Sequence, residues 1–321
     1  ASMAYEDVAH LLWSASFEDL PPVQELGRLL GRARVEAFAH LPPAQADYSI
    51  VQSLRMGWAQ EQDDESLATA IKLAAAGLVY TAAAVRQEQG KPPIAPDPNL
   101  SSSADFLRMI TGTAPDAKQA QALDAYLVTI CDHGLNASTF AARVVSSTRA
   151  GLTSAVLGGL SALKGPLHGG APGPVLDMFD EIGEVAKAEA WIDGALTRGE
   201  RLMGFGHRVY RARDPRADAL KAAASRLPGT AGRIAFAEHI EKEVLGKLRS
   251  KYPDRPLETN VEFYTAVLLE ALEIPRQAFT AVFACGRVLG WIAHAKEQIA
   301  EGRIVRPKSV YRGPVPELMD A

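Results

Sequence analysis

Leu67-Ala-Thr-Ala-Ile-Lys-Leu-Ala-Ala-Ala-Gly-Leu-Val-Tyr-Thr-Ala-Ala-Ala-Val85 decides the fold class of this chain. Alanine is the strongest helix former, and here it alternates with larger apolar residues, so the run predicts a long helix. Working outward, Val8, Leu11 and Leu12, then Leu26, Leu29 and Leu30, follow the i, i+3, i+4 rule of an amphipathic helix. A second apolar stretch, Phe279 to Ala295, carries Arg287 and His294. It is too short and too polar to span a bilayer comfortably, and we read it as a buried helix. Strand signals are almost absent. The sequence therefore predicts a mainly α protein.

Breakers divide these helices. Pro92, Pro93, Pro96 and Pro98 make a loop, and Asn99-Leu-Ser-Ser-Ser-Ala-Asp105 supplies several N-caps for the next helix. Ser146 to Lys164 is rich in Gly, Ala and Ser, which suits a helix packed closely against a neighbour. It ends at Gly165-Pro166, which puts His168 just beyond it in a turn. Pro172-Gly173-Pro174 marks an expected hinge or domain boundary, after which the chain is more charged to about Glu270 and then apolar again. The economical division is a large domain of residues 1–171 and 271–321 with a small domain, 172–270, inserted into it. No secretory signal is read at the start, and Ala4 to Trp13 reads like the interior of a domain.

Composition narrows the function. A net charge of −4 and a pI of about 6.0 give no global field for nucleic acid or acidic membranes. Cys131 and Cys285 are the only cysteines. They offer neither a disulfide framework nor metal-ligand spacing, so a reducing, cytoplasmic setting without a metal site is expected.

Two histidines stand between glycines, His168 in Gly165-Pro-Leu-His-Gly-Gly170 and His207 in Gly204-Phe-Gly-His-Arg208. Glycine lets backbone approach a ligand closely, so both imidazoles are candidates for an active site. Arg201, Arg208, Arg211, Arg213 and Arg216 cluster around His207 against the single acid Asp214. The cluster reads either as an anion site or as a solvated helix face. Arg287, inside an apolar helix, requires a partner, and a ligand carboxylate or a structural acid would serve equally. Glu262 suits a general base, but Thr259-x-x-Glu262 also fits a capping box, and spacing alone favours the cap. His133 lies beside Gly134 among polar residues, as loop histidines often do, and Arg306 on its own reads as a surface arginine.

Taken together, Asp132-His-Gly-Leu-Asn-Ala-Ser-Thr139, Lys164-Gly-Pro-Leu-His168-Gly-Gly-Ala171, Met203-Gly-Phe-Gly-His207-Arg-Val-Tyr-Arg-Ala-Arg-Asp-Pro-Arg216, Asn260-Val-Glu262-Phe-Tyr264 and Arg306-Pro-Lys-Ser309 resemble the citrate synthase family, in that family's order. The family's usual N-terminal strand-containing segment has no counterpart in this sequence. The resemblance implies a mainly helical homodimer of large and small domains with a cleft between them. It implies condensation of an acyl-CoA, usually acetyl-CoA, with oxaloacetate and then thioester hydrolysis. No permanent cofactor is implied, and coenzyme A enters as the thioester co-substrate.

Carried over by position, His168 stabilises the enol, His207 polarises the oxaloacetate carbonyl, and the residue at 262 is the base. His133, Arg216, Arg287 and a partner-subunit Arg306 hold substrate oxygens. Leu202, Met203, Gly204, Phe205 and Gly206 place backbone against coenzyme A, with Arg211 near its phosphates. Two departures stand out: Glu262 replaces the family's usual aspartate, and Pro172 stands where the family commonly has asparagine. An extra methylene moves a carboxylate by roughly an ångström, and misplacement on that scale can cost about 10²-fold in rate. A 2-methylcitrate synthase using propionyl-CoA, or a catalytically weak homologue that senses dicarboxylate or CoA, are the alternatives.

Overall fold

The computed structural model describes residues 3–45, 47–169, 172–206, 212–255 and 257–313. Its described residues form fourteen α-helices. In chain order these are α1 (Tyr5–Trp13), α2 (Val23–Ala39), α3 (Ile50–Trp58), α4 (Leu67–Glu88), α5 (Ser102–Thr111), α6 (Ala117–Ile130) and α7 (Ala137–Ser146). They continue as α8 (Leu152–Leu163), α9 (Pro172–Ile182), α10 (Ala188–Thr197), α11 (Pro215–Ala224), α12 (Ala231–Lys251), α13 (Val261–Ala271) and α14 (Phe279–Glu301). The extended pairing among the described residues is an isolated bridge between Phe205 and Thr259. The mainly α expectation holds.

The alanine-rich run becomes α4, in which every residue from Leu73 to Arg86 is buried. Burial on all sides fits the composition, because a helix apolar all round is satisfied only inside a protein core or a membrane. Helices α2, α3, α5 and α14 pack around it. Residues 67–88 and 276–301 are long and apolar enough to cross a bilayer by length and composition, yet 89% and 83% of their apolar windows are buried inside the protein. The expectation that the second stretch is too short is thereby corrected: α14 runs on to Glu301, and packing rather than length marks it as core.

The small-residue segment is not one helix. Serine 146 closes α7, a turn with Arg149 at φ 61° follows, and α8 begins after Gly151 at φ 100°. The two helices pack against each other, as small side chains allow. Pro172-Gly173-Pro174, expected as a hinge or domain boundary, opens α9, where proline is tolerated because the first helical N–H groups lack partners anyway.

Helix α14 carries the floor of the cleft described below. A Cβ at Gly290 would lie 2.2 Å from the Cys131 carbonyl oxygen, so only glycine allows the end of α6 to approach this closely. That approach brings the loop after α6, which carries His133, and Arg287 of α14 to one place.

Candidate active site

A cleft of about 410 Å³ is lined by His133, Asn136, His168, Met203, Arg216, Glu262 and Arg287 among others. Its walls come from five places distant in sequence: the α6–α7 loop, the turn after α8, the loop before α11 with that helix's first turn, the start of α13, and the first half of α14.

His168 follows α8 in a turn whose amide donates to the Gly165 carbonyl at 2.9 Å. Its Nε2 lies 2.9 Å from Ser138 Oγ, 3.2 Å from Asn136 Oδ1 and 3.4 Å from the Ser138 amide nitrogen. These atoms form the N-terminus of α7, capped by Asn136. A helix N-terminus presents hydrogens and partial positive charge, so we assign Nε2 as the acceptor, which leaves the N–H on Nδ1. Burial, and then the charge of Arg287, push the imidazole down to about 4. His168 is therefore neutral at pH 7. Trp291 Nε1 donates to Ser138 Oγ at 3.2 Å, and Phe283 meets the imidazole edge to face at 6.5 Å. Both fix the ring from α14.

Glu262 is not part of a capping box. The N-cap of α13 is Asn260, whose Oδ1 accepts from the Glu262 amide at 3.0 Å. The Thr259 hydroxyl points elsewhere and donates to Glu241 Oε1 at 2.5 Å. The cap reading fails by one residue, because asparagine outcompetes the threonine before it. Released from capping, the Glu262 side chain borders the cleft while its Oε2 is buried with no hydrogen-bond partner. Burial raises its carboxyl to about 7, against the opposing pull of Arg216 and Arg287. A carboxyl poised near neutrality suits proton abstraction.

Arg287 is 1% exposed, and among the described residues no carboxylate is in ion-pair contact with it. Its Nε donates to the Ile130 carbonyl at 2.5 Å, its guanidinium lies 4.8 Å from the Phe283 ring centroid, and its Nη1 is buried without a partner. Burial pulls its pKa down to about 10. Of the two partners allowed by sequence, no structural acid pairs directly with it among the described residues, Asp132 acting on it only through space. Arg216 also borders the cleft, gripped by Asp214 through Nε at 3.1 Å and Nη2 at 2.8 Å. Asp214 caps α11 and also accepts from the Val261 amide at 3.2 Å, which ties the starts of α11 and α13 together.

The arginine cluster divides. Arg201 and Arg216 line the cleft, whereas Arg213 is taken up by Asp218 and Glu241. Its expected place in a single anion site is corrected, since a nearby buried carboxylate claims it. His207, Arg208 and Arg211 lie outside the described residues. Met203 and Gly206 face the cleft, while Leu202 and Phe205 are buried, the latter with its ring 5.2 Å from that of Phe263.

The glycines here serve packing as well as ligand approach. Gly204 and Gly206 have φ of 86° and 82°, and a Cβ on either would come within 3 Å of Phe263 or Leu257. Their loop is bound to the start of α13. The Asn260 amide donates to the Gly204 carbonyl and the Gly206 amide to the Glu258 carbonyl, while Asn260 Nδ2 donates to the Gly206 carbonyl.

His133 borders the cleft beside Asp132, whose Oδ1 accepts from His294 Nε2 at 3.0 Å. Burial opposes ionisation of Asp132, but His294, the Gly134 amide and Arg287 outweigh it and bring the carboxyl to about 2. Arg306 stands apart from the cleft in an exposed segment after α14. Asn136, Ser138, Phe283 and Trp291 were not singled out from sequence as site residues. The Asn136-Ala-Ser-Thr139 capping pattern was the available signal for the first two. Among the described residues no His, Cys, Asp and Glu group could hold a metal.

Known proteins resemble this chain over most of its length. Residues 1–308 match the family model described as citrate synthase, C-terminal domain. A putative citrate synthase 2 of Mycobacterium tuberculosis is 50% identical over 202 residues, 63% of this chain and 54% of that protein, so the match spans about half of that relative's length. A 2-methylcitrate synthase of the same species is 34% identical over 327 residues, 98% of this chain and 81% of that protein. The citrate synthase of Thermoplasma acidophilum, solved as a ternary complex with carboxymethyl coenzyme A and oxaloacetate, superposes with a TM-score of 0.84 at 26% identity, covering 100% of this chain and 88% of that one. With a family match over almost its whole length, on the fold shared with that structure, this chain belongs to the citrate synthase family.

Proposed function

We propose that the cleft condenses acetyl-CoA with oxaloacetate and water to give citrate and coenzyme A. The observation that carries this reading is the pair of buried, partnerless atoms at the cleft, Glu262 Oε2 and Arg287 Nη1. A base close to neutrality and a cation held in no direct ion pair among the described residues suit a reaction that removes a carbon-bound proton beside a dianionic substrate.

Glu262 takes a methyl proton from the thioester. His168, neutral and with Nδ1–H as donor, hydrogen-bonds the thioester oxygen as it gains enolate charge. The enol carbon attacks the oxaloacetate carbonyl carbon, a C–C bond forms, and the alkoxide takes a proton from His207, a role that rests on the family motif. Water then attacks the thioester carbonyl and coenzyme A leaves as the thiol. Arg287, Arg216 and His133 hold the carboxylates. The segment Leu202 to Gly206 and Arg211 bind coenzyme A, with Met203 and Gly206 as the cleft-facing pair of the described part.

The division into a large domain, 1–171 and 271–321, and a small domain, 172–270, places the turn after α8 on one body and Arg216 and Glu262 on the other. Closure would then exclude water until condensation is complete. We infer a homodimer. Phe140, Leu135, Leu167, Ile304, Val310 and Tyr311 are exposed, and the Val305 amide donates to Ser147 Oγ at 3.0 Å, laying the C-terminal segment against the end of α7. From that segment Arg306 completes the partner's cleft. Two buried free cysteines suit a reducing cytoplasm.

The test is release of free thiol from acetyl-CoA or propionyl-CoA with oxaloacetate. We expect oxaloacetate-dependent release with acetyl-CoA preferred. A preference for propionyl-CoA would make the enzyme a 2-methylcitrate synthase, a change worth only about 1–3 kcal/mol for one methylene in an apolar pocket. Oxaloacetate binding without thiol release would contradict catalysis and leave a dicarboxylate sensor.

A further inference from the structure

Four buried side-chain atoms among the described residues have no hydrogen-bond partner: the Tyr126 hydroxyl, Glu262 Oε2, Thr265 Oγ1 and Arg287 Nη1. Glu262 and Arg287 border the cleft, whereas Tyr126 and Thr265 lie behind it, each 0% exposed. A buried hydroxyl ordinarily finds an acceptor, because one left without is destabilising, and two such donors in a protein that also buries a partnerless carboxylate oxygen call for an explanation.

Helix spacing and electrostatics relate the four groups. Thr265 follows Glu262 by one turn on α13, so the two share a face. Tyr126 precedes Ile130 by one turn on α6, and the Ile130 carbonyl accepts from Arg287 Nε, so α6 presents Tyr126 on the side from which Arg287 approaches. Apart from burial itself, Glu262 and then Arg287 act most strongly on the Tyr126 hydroxyl.

We propose that Tyr126 and Thr265 are positioning residues for Glu262: a small rotation of its side chain brings Oε2 within reach of both hydroxyls, which donate to it and fix its aim on the substrate. The proposal rests on the reading of Glu262 as the base. It also gives the glutamate a purpose, because an aspartate at 262 would fall roughly an ångström short of the two hydroxyls.

Hydrogen bonds donated to a carboxylate favour its charged form, so both hydroxyls keep the base ionised at lower pH. The charged groups facing Glu262 are Arg287 from α14 and Arg216 and Asp214 from the start of α11. On the other elements packed against α13, Glu241 of α12 is taken up by Arg213, Thr259 and Tyr264, and Asp177 and Asp180 of α9 by Arg276.

The experiment is the pH profile of kcat/KM for wild type, Tyr126→Phe and Thr265→Val, with thermal melting as a folding control. Each variant should move the acidic limb up by about one pH unit, with kcat/KM down about fivefold near pH 7 and about tenfold well below it, and KM for oxaloacetate unchanged. In a Glu262→Asp background, Tyr126→Phe should have no further effect. An unmoved limb in both variants, or an equal loss in the Glu262→Asp background, overturns the proposal. If Tyr126→Phe does not fold, Thr265→Val decides.

Should wild type release no thiol, the base reading itself fails. The Glu262 carboxyl can still be titrated by infrared difference against Glu262→Gln. An upward move of its midpoint in Tyr126→Phe sustains the contact between the two side chains, and no move overturns it.

Discussion

Two buried arginines face opposite fates in this protein. Arg34, on α2, is 0% exposed and fully served: Nε donates to Asp105 Oδ2 at 2.9 Å, Nη1 to Ser102 Oγ at 3.0 Å, and Nη2 to the carbonyls of Asp97 and Leu100. Arg287, on α14, is 1% exposed and has one carbonyl, one aromatic face and an idle Nη1. The first arrangement is what a guanidinium needs to be buried at rest. The second is complete only with an anion supplied from outside. Full satisfaction marks structure, and its absence beside a cleft marks a site.

Replacing each arginine by methionine separates the two. Arg34→Met leaves a buried carboxylate short of its main partner, and unfolding free energy should fall by about 3 kcal/mol or more, read by denaturant titration. Arg287→Met removes a cation already disfavoured by burial, so stability should change by less than about 1 kcal/mol while KM for oxaloacetate rises on the order of 10²-fold. A large stability loss in Arg287→Met would remove the contrast.

Glu262 sharpens the same point through pH. Its folded carboxyl titrates at about 7, above the usual 4.5. The folded state thus binds the extra proton between these values, and stability from this group is full below about 4.5 and lost as pH rises through 7. Glu262→Gln should therefore be more stable than wild type at pH 8, by up to about 3 kcal/mol, with little difference at pH 4.5. Melting curves at the two pH values check the sign. The smallest effect is local. Asn260→Ala removes the cap of α13 and the bond to the Gly206 carbonyl, and should cost about 1 kcal/mol.

The helices were legible because their signal is local. The alanine run gave α4, Ser101 gave the cap of α5, and the apolar stretch gave α14, underestimated in length because its polar end is still helical. The glycine-flanked loops were legible as places of close approach, although part of what Gly204 and Gly206 approach is the protein itself. Arg213 and Glu262 were misjudged for a shared reason. Which acid claims an arginine, and which of two adjacent residues caps a helix, is decided by groups far away in sequence or by a contest between neighbours. Tyr126 carried no signal at all, since an aromatic on the apolar face of α6 reads as core, and only the lack of a hydrogen-bond partner for its buried hydroxyl distinguishes it.

The most direct test of the contrast between the two arginines is the thermal shift produced by oxaloacetate alone. A ligand that completes Arg287 binds the folded state and raises its melting temperature in proportion to occupancy. The account predicts a concentration-dependent rise in wild type that is abolished in Arg287→Met. No rise in wild type, or the same rise in both proteins, would contradict it.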